Sequence, residues 1–594
     1  MRWEVRTMRS ATSCSKTLIR SDWRRFWPVT FFYAFLSFFA LPVGLWNTGA
    51  YSYYSGEYAT AAAEAVARAW PKAELVYESL PGFAIVNLFL GVVLAMVLFG
   101  YLMKPGSVGL MHALPITRTR QFLTHFAAGF SMLTAANVLT VVLSLLAEAL
   151  LGTVDAVPLL IWLLCVELMG FFFLAFGTLC AMATGWLLAV PVIYFGLNFL
   201  VMAYHWLFAA MAAMFMRGLD TARFRYGLGV EWLTPVVNLT DVLDPDDFTM
   251  EAYQKGATLF TVNKAALPAL LIYAAVGVLM LVLAWLLYRA RHSETAGDAI
   301  VFPWLRPVVR YVIAGAGGLG LGIVVYQIFQ IRATRESMPA LVACQLVMGA
   351  LVYLAVEMLL RKSYKIFDKR TLLGLAGLWL ALIAVGVCIK TDAFRVERRV
   401  PAETQVETVS FNVAYQDRLE TDDPAVIRGV IALHRALVES DRPDEGSGYY
   451  FNVTYRLKNG TTLERGYSMD IHDPAVRKAL TELMNLAPLR QNALLPDYGK
   501  WGTTFTGGYA TNMQDDHQVI LSEEQCLALY RALEEDMENP RTPEDLVKEG
   551  FACQLELNTT EGTYVVWQLN ESCTHTLALM KEYGIVFTRM EDKR

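Results

Sequence analysis

The stretch VPLLIWLLCVELMGFFFLAFGTLCAM, residues 157–182, carries a single charged residue, Glu167, in an otherwise apolar run. A membrane-spanning helix needs about 20 consecutive mostly apolar residues. A helix that is apolar on every side has no polar face to turn toward water. The stretch therefore reads as a transmembrane helix, and it commits its surroundings to lipid. Working outward, similar runs lie near 28–47, 82–103, 123–150, 186–208, 265–288, 311–331, 339–360 and 371–389. Together these make about nine spans, and the long run from Trp186 to Phe215 leaves eight or ten open.

Composition agrees with a membrane protein. Of 594 residues 55% are hydrophobic and 18% charged, against about 25% charged in an average soluble domain. The net charge of -5 averages two unlike parts. Up to about Ile389 the chain is apolar and glycine-rich; from Lys390 it is polar and mixed in charge. The expected fold class is a polytopic α-helical membrane protein with a C-terminal soluble α+β domain. The eight cysteines show no CxxC spacing, so neither a zinc site nor a disulfide framework is signalled. A bridge between two of the tail residues Cys526, Cys553 and Cys573 stays open. No metal ligand set and no nucleic-acid-binding pattern emerge.

Seven basic residues precede Pro28, and the apolar run that follows is too long for a signal peptide and lacks a small-residue cleavage site. An uncleaved first span is expected. Before it, SCSKTLIRSDWRRFWP (13–28) sets Leu18, Ile19, Trp23, Phe26 and Trp27 on one helical side and Arg20, Arg24 and Arg25 on another. That predicts an amphipathic interface helix over residues 1–27, with Trp23, Arg24, Arg25 and Trp27 at the membrane surface. Orientation follows from the basic residues of short loops. With the N-terminus inside, cytoplasmic segments carry nineteen Lys and Arg and the opposite loops nine. An odd number of spans then places the tail outside the cytoplasm.

Several motifs lose their force in this frame. Gly315 to Gly320 form a literal GxGxxG, but inside a span rather than between a strand and a helix. Gly318 and Gly322 there suit close helix packing. No GxxxxGK[ST] stretch occurs, so this chain binds no nucleotide through a P-loop. DVLDPDDFTME (241–251) lacks the glycine and spacing of a calcium loop. Among ionisable residues in spans, Glu167 lies nearest a span centre and is the intramembrane candidate. Glu148, Glu357, His125 and His205 lie nearer span ends, where snorkelling or helix-to-helix hydrogen bonds explain them.

Between the second and third spans the chain surfaces as GLMHALPITRTRQF (109–122). Leu110, Met111, Leu114 and Ile116 can form an apolar wedge, with Arg118 and Arg120 beside it and His112 within it. Pro115 limits helix continuation. A second polar link, RARHSETAGDAIVFPWLRP (289–307), contains Glu294. The two arginines also suit simple anchoring of the third span.

At these segments the chain resembles ABC-2-type transporter permeases of Gram-positive bacteria. The resemblance rests on the interfacial helix, the LMHALPITRTRQF loop, the ETAGDAIVFPWLRPVVRY link and the tail opening VETVSFNVAYQ. It points to a subgroup with extra spans and an extracytoplasmic C-terminal domain. It implies a six-helix core over 28–288, three additional spans over 289–389 and the tail from 390 to 594. It also implies a partner ATP-binding subunit that carries ATP and Mg, a second permease subunit, and no catalysis in this chain. Leu110, Met111, His112, Leu114, Pro115, Ile116, Arg118, Arg120 and Glu294 become the expected coupling residues. The substrates implied are peptides or cell-envelope-active compounds. The alternative is a membrane-anchored sensor whose tail binds envelope ligands.

The tail reads as alternating strands and helices. ETQVETVSFNVAY (403–415) alternates as a strand, DPAVIRGVIALHRALVES (423–440) and DPAVRKALTELMNL (473–486) as helices. YYFNVTYRLKNGTTLERGYSM predicts a hairpin with a two-residue Asn459-Gly460 turn. SEEQCLALYRALEEDM (522–537) is a further helix and FACQLELNTTEGTYVVWQL (551–569) a second hairpin. The order of elements and the two DPAV helix starts suggest an internal duplication. His434, His472, His517 and His575 are isolated in sequence, and no catalytic set emerges.

Overall fold

The computed structural model describes residues 2–51, 61–152, 154–219, 230–245, 248–329, 336–413, 419–440, 450–489, 504–512, 517–540, 542–543, 553–559, 563–566 and 573–585. Among these, nine helices are long and apolar enough to cross a membrane. The chain is a polytopic helical membrane protein with an α+β C-terminal region. It divides into two compact units: Met1–Leu207, Leu228–Ile331 and Pro339–Ile383 form the first, and Phe208–Gly227, Arg332–Met338 and Ala384–Arg594 the second.

In the first unit α1 (Arg2–Phe38) runs unbroken through Pro28 and continues as a π-helical stretch, Phe39–Val43, into Gly44–Tyr51. Residues 2–27 are thus continuous with the first span. Next come α2 (Ala61–Phe99), the short α3 (Pro105–His112), α4 (Arg118–Leu150), α5 (Ala156–Ala183), α6 (Ala189–Phe215), whose end from Phe208 belongs to the second unit, and α7 (Ala266–Ala290). α8 (Leu305–Ile328), α9 (Met338–Arg361) and α10 (Lys369–Lys390) complete the spans. α2 begins well before the expected residue 82, with Pro71 and Pro81 inside it. In a membrane bundle neighbouring helices satisfy the backbone groups a proline frees, so these two do not end the helix as they would in water.

α2 and α5 are the most enclosed spans. They meet at glycines: a Cβ on Gly91 would stand 2.6 Å from the Phe173 carbonyl carbon, and one on Gly177 2.8 Å from the Gly91 oxygen. Lipid tails are as apolar as leucine, so helices associate here through close packing, which small residues permit. Trp162, Phe172 and Phe173 of α5 are fully buried around this crossing. α8 and α9 cross in the same manner. A Cβ on Gly318 would lie 3.0 Å from Gly349 Cα, and one on Gly322 2.7 Å from Gln345 Cα. Near the loop ends of these helices Glu357, 3% exposed, pairs with Arg310 at 2.8 Å and Arg361 at 2.6 Å.

The second unit holds two sheets of one topology. β1 (Val406–Val413), β2 (Leu419–Thr421), α11 (Pro424–Glu439), β3 (Tyr450–Leu457), β4 (Thr462–Ser468) and α12 (Pro474–Met484) make the first half, with strand order β2-β1-β3-β4. β5 (Phe505–Asn512), β6 (His517–Leu521), α13 (Glu523–Met537), β7 (Cys553–Thr559), β8 (Thr563–Val566) and α14 (Thr574–Glu582) repeat it, with order β6-β5-β7-β8. Each half has its own apolar core. Both DPAV starts fall within the first half, where Asp423 and Asp473 cap α11 and α12. The true counterpart of α11 is α13, which opens with a Ser522/Gln525 capping box. The β3–β4 loop is also longer than expected. Gly460 turns back onto the Leu457 carbonyl and alone has a positive φ, +80°, a three-residue turn with a bulge rather than Asn459-Gly460 alone.

Candidate functional site

Connections from four parts of the chain meet at one end of the first unit, and Arg291, just past α7, ties them. Its side chain is 5% exposed. Nη1 donates to the carbonyls of Ala181, Met182 and Thr184 at 3.2, 3.4 and 2.9 Å, and Nη2 to Leu102 at 3.0 Å. These oxygens close the C-terminal end of α5 and the turn after α2, where unpaired carbonyls and the helix dipole favour a cation. Burial lowers the guanidinium to about 10, which leaves it cationic at neutral pH. Arg118 at the start of α4 donates to the Arg291 carbonyl at 3.1 Å. Trp285 of α7 donates to Thr119 at 3.1 Å, and Tyr288 to Gln121 at 3.2 Å.

A backbone seam extends this layer. Gly185, in the turn after α5, donates to Asp298 and accepts from Gly297, and Val301 donates to Ala183. A Cβ at Gly185 would run into the Thr295 carbonyl, so the seam requires glycine there. Lys362, after α9, reaches Asp298 at 3.0 Å. The links 104–120, 183–186, 291–301 and 361–362 therefore form one connected layer.

The expected coupling residues occupy it unevenly. Leu110 on α3 is 72% exposed, and Pro115, Arg118 and Glu294 are also exposed. Met111, His112, Leu114, Ile116 and Arg120 are half-buried. The Met111 carbonyl accepts from Gln121, and Thr117 caps α4 by accepting from the Arg120 amide. His112 sits edge-on to Tyr288, its ring-centroid distance 6.3 Å. Burial, then the charges of Arg118 and Arg291, lower its pKa. Leu110 alone of the four apolar residues projects freely. In the sequence Arg291 stands only as a basic loop residue; an arginine at a span's loop end, beside other helix ends, is the signal that could have found it.

The N-terminal residues pack partly inward. Trp27 is 54% exposed and Arg24 and Arg25 are exposed, but Trp23 donates to Ser131 of α4 at 3.0 Å. Asp22 beside it is buried against His125 of α4 at 2.7 Å. Glu167 is half-buried, with one carboxylate oxygen accepting from Thr134 at 2.8 Å and the other from Asn137 at 2.9 Å. Glu148 accepts from the Asp155 amide.

In the tail His434 is fully buried between Tyr455 at 3.1 Å and Tyr467 at 3.0 Å. Burial, aided by the Arg465 charge, lowers its pKa to about 3. A depressed histidine pKa means that the unfolded chain binds the extra proton. Stability is then complete above the unfolded value near 6.5 and falls toward the folded value as pH drops. The expected result is a loss of about 1.4 kcal/mol per pH unit through that window. Urea midpoints of the tail's tertiary signal would measure it, and the slope should flatten in His434→Gln. His575 pairs with buried Asp536, whose carboxylate also accepts the His575 and Thr576 amides at the start of α14. This is a helix cap. Cys526 is a buried thiol, and Cys573 is buried as well. Among the described residues no group of His, Cys, Asp and Glu is placed to hold a metal. No protein-family model, curated protein or solved structure matches the chain.

Proposed function

We propose that the chain is the membrane subunit of an ABC transporter driven by a separate ATP-binding subunit that carries the ATP and Mg. The observation that carries this reading is the loop-end layer. It is fixed from behind by Arg291 and the Gly185 seam, yet presents Leu110 and Arg118 outward. A rigid, backbone-tied layer with one projecting apolar side chain and a nearby cation suits a partner that pushes on several helices at once. The same end is the cytoplasmic one by its basic residues, with the tail outside. A second permease subunit, identical or related, completes the pathway, and the cargo is a peptide or cell-envelope-active compound. The chain itself performs no catalysis.

A second reading, a membrane-anchored sensor, draws on one observation within the second unit. The turn after α6 donates Arg217 to the Ser440 carbonyl, and Gly218 accepts from Gly466 of β4 at 3.2 Å. A ligand held by the tail would thus be felt at the end of the fifth span.

Leu110→Glu tests the leading reading, because it places a charge on the projecting side chain without touching a buried group. Surface changes of this kind shift stability by about 0.5 kcal/mol or less. Co-purification of an ATP-binding subunit with the chain should fall by about tenfold or more, as expected of an interface anchor. Unchanged co-purification, or no associated ATPase with the unaltered chain, removes the docking role.

A further inference from the structure

Glu167 lies about 17 Å along α5 from its first residue, in a helix about 42 Å long. From that depth a carboxylate reaches neither membrane surface. Charged groups so placed face the bundle interior, a water-filled path or a partner charge. Among the described residues, three neutral polar side chains from two other helices set Glu167, two of them in direct contact with it. Thr134 and Asn137 of α4 each donate to one carboxylate oxygen. Tyr33 of α1, 2% exposed, donates to Asn137 Oδ1 at 2.6 Å. That bond fixes the amide with its N–H toward the carboxylate. No lysine, arginine or histidine pairs with Glu167 among the described residues. One turn along α5, a Cβ on Gly170 would stand 3.0 Å from Asn87 Oδ1, a buried acceptor with no hydrogen-bond partner.

The outer side of the site is apolar and open. Leu160 and Leu164 on α5, and Val138 and Val142 on α4, are 56%, 43%, 44% and 54% exposed on the faces that carry Glu167 and Thr134. The carboxylate thus sits half-buried between two apolar helix faces, its rotamer set by donors that cannot neutralise it.

We infer that Glu167, Thr134 and Asn137 form an intramembrane binding site for a cationic nitrogen, an ammonium or guanidinium group, carried on an apolar body. Glu167 supplies the counter-charge. Thr134, Asn137 and, behind them, Tyr33 position it. The apolar faces of α4 and α5 take the body of the ligand. Binding here needs no ATP-binding subunit, so this site stands or falls separately from the docking role of Leu110.

The test uses the full chain in lipid nanodiscs with tritiated adamantan-1-amine, and adamantan-1-ol as the neutral competitor of the same shape. Saturable binding of the amine that the alcohol does not displace is expected. Glu167→Gln keeps the hydrogen-bonding shape, since its amide can accept from Asn137 and donate to Thr134. It should melt close to the unaltered chain yet bind the amine about tenfold more weakly or worse. Equal retention by both proteins overturns the site, as does displacement by the alcohol. Should Glu167→Gln fail to fold, dicyclohexylcarbodiimide decides with the unaltered chain, because it labels protonated carboxyls in apolar surroundings. Slower labelling of the Glu167 peptide when the amine is present supports the site. Labelling at neutral pH that the amine leaves unchanged assigns the counter-charge to a proton and overturns it.

Discussion

Arg291→Met is expected to destabilise the first unit by about 3 kcal/mol or more. Methionine fills similar volume but leaves the carbonyls of Leu102, Ala181, Met182 and Thr184 without the donor they now share. A buried acceptor stripped of its partner bears the full desolvation cost, which is why removing one side chain costs more than an average hydrogen bond. The loss should appear as a lower temperature at which the detergent-solubilised protein ceases to run as a single species. Arg291→Lys should recover only part of it. A single ammonium cannot reproduce the planar fork that serves four carbonyls on two different segments. A normal melting temperature for Arg291→Met would mean that the loop-end layer is held by the Gly185 seam alone.

Gly91→Val should be more damaging still, and in a different way. The obstruction is backbone, the Phe173 carbonyl 2.6 Å from the new Cβ, so no rotamer change relieves it. Overpacking a tight core costs about 1 to 3 kcal/mol, and more where nothing can yield. Little or no monodisperse protein is expected from this variant. Gly82 lies on the same helix, and a Cβ added there would meet nothing within 4 Å. Gly82→Ala therefore serves as the control and should express normally. Comparable yields of the two variants would argue that α2 and α5 do not cross so closely.

The membrane part of the fold was legible because its signal is composition over long windows. Residues 157–182 needed only length and apolarity to be read, and α5 is indeed among the most enclosed helices. Where the reading stopped short, charge or proline interrupted that signal. Lys72, Glu74, Glu78 and two prolines hid the first half of α2. Asp22 and Trp23 look like interface residues in an amphipathic pattern, yet pack against His125 and Ser131. Pairings across helices leave no periodic trace in one sequence. The same limit applies to the site. Leu110, Arg118 and Glu294 could be singled out because loops between spans are short and few. The role of Arg291 could not, since its partners are backbone carbonyls, which every residue carries. Glu167 stood out as a charge inside a span, but its setting by Tyr33 through Asn137 depends on an encounter between α1 and α4. In the tail, strand and helix patterns were readable, whereas the repeat boundary was obscured by two similar helix starts inside one half.

The bond between Gly218 and Gly466 also bears on how the tail avoids joining other chains. In the first sheet the outermost strands are β2 and β4. An unpaired outer strand is a template for association with any extended segment, and proteins blunt such strands by shortening or covering them. β2 has only 3 residues. β4 is longer, with 7, and the backbone of Gly218 occupies one of its outward amides. A Cβ there would run into the Tyr467 ring, so glycine lets the cover lie close. The stretch after the fifth span thus acts as a guard on the strand next to it. A tail cut free of the membrane helices would carry β4 without that guard, and self-association through β4 is the expected liability of any such fragment.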